Sequence, residues 1–99
     1  MIHLNNYAKK VGKVENYDWY EWEVFVNENE ETLGKIDHVE YLLHPTFPNP
    51  RRVANEKESK FAIRTSGWGE FTVKATITFK DGTKEKVSYE LDFDKKWPQ

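Results

Sequence analysis

Cysteine is absent from this 99-residue chain. That excludes disulfide staples, thiolate metal sites and thiol nucleophiles together, and it fits a reducing compartment. Long apolar runs are missing too: no stretch approaches the roughly 20 residues that span a bilayer, and no signal-peptide core is present. The expectation is a soluble, cytoplasmic protein with no membrane partner. Charge of one sign is also lacking, with 15 Lys and Arg against 17 Asp and Glu. The lysines are dispersed among acids and the one basic cluster is Arg51-Arg52. A groove for a nucleic-acid duplex is therefore not expected, although that Arg pair suits a single anionic head group. His3, His38 and His44 have no ligand spacing, so neither a metal nor a cofactor is expected. Finally, no segment of helical length carries apolar residues at helical spacing.

Period-two alternation is what the chain does have. From Phe71 to Lys80, Phe71, Val73, Ala75, Ile77 and Phe79 alternate with Thr and Lys, as in a strand with one wet face. Asp81-Gly82 supplies the positive φ angles of a tight hairpin, and a return strand buries Val87, Tyr89, Leu91 and Phe93. Further strands are predicted over Trp19 to Asn27, Ile36 to Leu43 and Phe61 to Thr65, with a first one over Ile2 to Val11. Gly12 to Asp18 reads as a polar connection, Asn27 to Gly34 as an acidic turn, and Pro45 to Lys60 as a long surface loop. Lys95 to Gln99 reads as a frayed end or the cut edge of a longer protein. Several short strands at roughly 8–12-residue spacing imply one all-β domain, an antiparallel β-sandwich. Its many aromatic rings, 15% of the residues, compensate for a modest aliphatic count.

The chemistry concentrates in two loops, Leu43 to Pro50 and Thr65 to Phe71. Each brings out an aromatic, Phe47 among three prolines and Trp68 between two glycines. The prolines fix φ angles and lower the entropy of ordering the first loop, and the glycines free the backbone of the second. A planar amide stacked between Phe47 and Trp68 could give its N–H to Thr46 and take a main-chain N–H near Trp68. On spacing alone the two rings read equally well as caps on one end of the sandwich. His44 beside Thr46 has the look of an activated nucleophile, but no third group is spaced to orient the base, so no catalytic residue and no enzyme is assigned.

At these residues the chain resembles the YEATS family. Val39 to Pro50, with His44, Thr46 and Phe47, and Ser66-Gly67-Trp68-Gly69-Glu70-Phe71 are similar to its two loop signatures. Trp22-Glu23-Val24-Phe25-Val26 resembles its early strand. Tyr7 to Gly12 together with the full His44 to Pro50 run is closer to the prokaryotic branch. The resemblance implies an immunoglobulin-like sandwich, a single YEATS-like domain over 1–99 excised from a multidomain protein, and fusion to an effector domain. It implies a reader of acylated lysine, acetyl or crotonyl. His44 would orient Thr46, Phe47 and Trp68 would sandwich the amide, and Gly67 and Gly69 would keep the channel open. Asp92 would serve as a rim acid, and Trp19 or Tyr20 would replace a pocket aromatic that falls at Asp18 here. Two other readings stand beside it: a bacterial sensor of a small flat molecule or nucleotide coupled to an effector, and a structural Ig-like interaction domain.

Overall fold

The strand predicted from Phe71 to Lys80 shows its alternation in space: Val73, Ala75 and Ile77 are buried while Thr72 and Lys74 stand in solvent. The protein is seen here as a computed structural model that describes residues 2–97. Its strands are β1 (Leu4–Val14), β2 (Tyr17–Val26), β3 (Ile36–Leu42), β4 (Arg51–Ala54), β5 (Ile63–Gly67), β6 (Thr72–Phe79) and β7 (Lys84–Glu90). They form two antiparallel sheets, ordered β1-β2-β5 and β4-β3-β6-β7. The fold is an immunoglobulin-like β-sandwich.

The inward faces meet in one core. Trp22, Val24 and Val26 of β2 oppose Val39 and Tyr41 of β3 and Val73 and Ile77 of β6, all with no exposure. Each such side chain stabilises the fold by roughly 1.5–3 kcal/mol relative to exposure. Sheet edges need satisfied backbone groups as well as buried faces. The edge of β1 finds them in the C-terminal segment: Ala8 N–H donates to the Lys95 carbonyl at 2.7 Å, and Trp97 N–H to the Ala8 carbonyl at 3.1 Å. The half-buried Trp97 ring lies 5.1 Å from Lys9 Nζ and 4.5 Å from Arg64 Cζ. This corrects the expectation of a frayed end for Lys95 to Trp97, while Pro98 and Gln99 lie outside the described residues.

Five other expectations are amended. Gly12 to Asp18 is no loose connection but the end of a hairpin, closed by Glu15 (φ 49°) and Asn16 (φ 72°) with Val14 paired to Tyr17. Within Asn27 to Gly34, Glu30–Leu33 forms one helical turn, α1, because Asn29 Oδ1 accepts the Thr32 N–H at 2.9 Å and Leu33 is buried. The stretch from Pro45 to Lys60 contains β4 and a 3-10 turn at Lys57–Ser59. Phe61 precedes its strand rather than starting it: Lys60 and Phe61 are both left-handed (φ 59° and 55°), which turns the chain so that the Phe61 ring enters the core. At the Asp81-Gly82 hairpin only Gly82 has positive φ (91°). Asp81 contributes Oδ1, which accepts the Thr83 N–H at 2.9 Å and hydroxyl at 2.6 Å.

Candidate functional site

Three prolines in six residues cannot continue β3 as a ladder strand, so the chain leaves it at Leu43 and turns. Leu43 N–H donates to the Pro50 carbonyl at 2.7 Å and Phe47 N–H to the His44 carbonyl at 3.0 Å. Arg52 braces the loop from behind, with Nε 2.6 Å from the Asn49 carbonyl and Nη2 2.9 Å from that of Pro48. Arg51 pairs with Glu40 on another side. The two arginines are thus engaged separately and form no joint anion site, which corrects that expectation.

Inside the turn His44 Nδ1 lies 2.9 Å from Thr46 Oγ1 and takes the Thr46 backbone N–H at 3.2 Å. In the tautomer protonated at Nε2, the Thr46 hydroxyl shares the Nδ1 lone pair as a second donor and keeps its own lone pairs to accept an N–H from outside. Both of these His44 hydrogen bonds go to Thr46, and among the described residues no carboxylate orients the imidazole as a catalytic relay requires.

The second loop leaves β5 at Gly67, opposite Tyr20. Glu70 Oε2 accepts the Phe93 N–H at 2.7 Å and fixes the loop's far end. Between the loops lies a cavity of about 370 Å³, lined by Trp19, His44, Thr46, Phe47, Pro48, Ser66, Gly67, Trp68, Gly69, Glu70 and Phe71. That volume is in the range of small-ligand sites. The walls differ. Phe47 is half-buried and packs edge-on to the fully buried Trp22 (6.2 Å, 89°) and against Phe71 (5.4 Å). Trp68 is 56% exposed. Phe47 therefore caps the core and faces the cavity, whereas Trp68 has no capping role.

Of the sequence-derived candidates, His44, Thr46, Phe47, Gly67, Trp68, Gly69 and Trp19 come together around this cavity, and Tyr20 and Asp92 do not. Successive strand residues face opposite ways: Trp19 reaches the cavity, and Tyr20 stacks on Phe93 (4.4 Å, 19°). Asp92 is held through its backbone by the buried Asn6, whose Nδ2 donates to the Asp92 carbonyl at 2.9 Å and whose Oδ1 accepts its N–H at 3.2 Å. The acid on the cavity is Glu70 instead. Glu70, Ser66, Pro48 and Phe71 were not singled out from sequence, although all lie in the same two loops. Tyr17, whose ring lies tilted against that of Trp68 (4.6 Å, 30°), carried no sequence signal. No group of three or more potential metal ligands occurs among the described residues.

A family model described as the prokaryotic YEATS domain matches residues 20–92. The chain belongs to the YEATS domain family. It is 34% identical over 93 residues to the protein AF-9 homolog of Eremothecium gossypii, covering 87% of this chain and 44% of that protein. The Saccharomyces cerevisiae AF-9 homolog is also 34% identical over 93 residues, with 87% and 40% covered. The chain thus spans less than half the length of these relatives. Among solved structures, yeast Yaf9 superposes with a TM-score of 0.75 at 27% identity, covering 91% of this chain and 64% of that one. The Yaf9 YEATS domain recognizing an H3K122suc peptide gives 0.71 at 25% identity, with 94% and 77% covered.

Proposed function

We propose that this YEATS domain is a non-catalytic recognition module whose slot between Phe47 and Trp68 receives an acylated lysine of a peptide. The observation that carries the reading is the pairing of two aromatic walls with a Thr46 hydroxyl held 2.9 Å from His44 Nδ1. An acyl-lysine side chain ends in a flat secondary amide. Its plane stacks between the rings, its N–H meets Thr46 Oγ1, and its carbonyl takes a main-chain N–H near Trp68. The similarity to a Yaf9 domain that recognizes a succinylated histone peptide supports the ligand class. A cytoplasmic setting and fusion to an effector domain belong to the same proposal, and both are testable by fractionating the native host and sizing the product.

The test is an NMR titration of the labelled domain with acetyl-, crotonyl- and succinyl-lysine peptides, the unmodified peptide and a panel of nucleotides. Selective shifts at Thr46, Phe47, Gly67 and Trp68 are expected with acylated peptides. Equal shifts with unmodified peptide would overturn the reading, and selective shifts with a nucleotide would replace it by small-molecule sensing. Because Trp68 is largely exposed, Trp68→Ala should weaken acyl-peptide binding by about tenfold or more and leave the melting temperature nearly unchanged.

A further inference from the structure

The exposed Trp68 indole sits on a bend between two glycines, a placement that by itself gives a mobile side chain. A wall that must be ordered when ligand arrives weakens binding by the entropy of ordering it. The structure supplies one aromatic neighbour that can fix the ring beforehand. Tyr17, the first residue of β2, lies with its ring centroid 4.6 Å from that of Trp68 at an interplanar angle of 30°. It is carried there by the projecting end of the β1–β2 hairpin. Pairing with β5 stops at Tyr20 opposite Gly67, whereas pairing with β1 continues through Trp19 and Asp18 to Tyr17. The Lys10–Asp18 ion pair at 3.2 Å ties the two strands of this arm together.

We infer that Tyr17 is a positioning residue of the slot, holding the Trp68 indole flat as its outer wall. This rests on the reading of the slot as the ligand site. Tyr17 does not line the cavity, so it acts through Trp68 and touches no ligand itself. Its ring covers one face of the indole, which leaves the opposite face for the ligand amide. In the bound state the amide then lies between Trp68 and Phe47, with Tyr17 tilted against the indole from outside the cavity. The same assignment explains why the arm places an aromatic of 52% exposure beyond the body of the sandwich, where it adds nothing to the core.

The variants Tyr17→Ala and Tyr17→Phe in the full 99-residue chain separate this role from a merely structural one. Order of the Trp68 indole is read in the free protein from ¹⁵N relaxation at its assigned Nε1, and affinity from titration with acetyl- and crotonyl-lysine peptides. Tyr17→Ala should lower indole order and weaken binding by roughly five- to tenfold. Tyr17→Phe, which keeps the ring, should retain both within about twofold. Unchanged indole order in Tyr17→Ala overturns the inference, as does unchanged affinity, or a Phe variant as impaired as Ala. If the unsubstituted domain binds no acyl-lysine peptide, the slot reading fails, and the relaxation data on the free protein still decide whether Tyr17 orders Trp68.

Discussion

Gly67 and Gly69 flank Trp68 evenly in sequence, yet their missing Cβ atoms face different surroundings. A Cβ at Gly67 would lie 3.4 Å from Phe47 Cζ and 3.7 Å from Cε1, whereas one at Gly69 would meet nothing within 4 Å. Neither glycine has a left-handed φ, so the difference is one of space alone. A methyl fits at Gly67, but the branched side chain of Gly67→Val must enter the volume of the Phe47 ring. Overpacking of this kind costs roughly 1–3 kcal/mol, and here it also moves one wall of the slot. Denaturant unfolding should show that loss for Gly67→Val together with lost acyl-peptide binding. Gly69→Ala should stay within about 0.5 kcal/mol of the parent and keep binding. Equal effects at the two positions would refute a steric role for Gly67.

At the scale of elements, the β1–β2 hairpin shows best what local chemistry leaves unsaid. Its two-residue turn needs positive φ at both positions, and the chain puts Glu15 there at φ 49° rather than the usual Asn or Gly. A long side chain in the left-handed region is disfavoured, whereas Asn tolerates it. Glu15→Asn should therefore stabilise the domain by about 0.5–1 kcal/mol, read as a raised urea midpoint at constant m-value. The same departure from turn chemistry hid the hairpin in the sequence: without a glycine in the turn, Gly12 to Asp18 looks like a connection. The exposed Val11, Val14 and Tyr17 add no core-facing pattern to correct that view. β6 and β7 were legible because burial on one face imposes alternation, and the Asp81-Gly82 turn announces itself. β4 was not, because it is four residues long and only Ala54 turns inward. The slot was legible at its loops, where prolines, glycines and lone aromatics mark departures from regular structure. It was illegible where it depended on side-chain direction within a strand, hence Trp19 in the slot and Tyr20 outside it.

On the scale of the whole molecule, two tyrosine hydroxyls tie one sheet to the other. Tyr41 of β3 donates to the carbonyl of Phe61, which leads into β5, at 2.6 Å, and Tyr89 of β7 donates to Asn6 Oδ1 of β1 at 2.6 Å. Burial raises the Tyr41 phenol far above its ordinary range. Burial first, and then the charge of Asp92, raise that of Tyr89. The folded state therefore holds both protons more tightly than the unfolded chain, whose phenols titrate near pH ~10. Stability from these bonds is complete below that pH and is lost as the pH rises above it, because the unfolded state then gains by ionising and the folded state cannot follow. The melting temperature should accordingly fall above about pH 10, with the ring resonances of Tyr41 and Tyr89, followed by NMR, reporting phenolate together with unfolding rather than before it. Tyr41→Phe leaves the Phe61 carbonyl without its donor and should cost about 1–3 kcal/mol at neutral pH. The same variant has one fewer buried phenol to ionise, so its stability should decline less steeply on the alkaline side. An alkaline decline as steep as the parent's would show that the Tyr41 proton is not what couples the two sheets to pH.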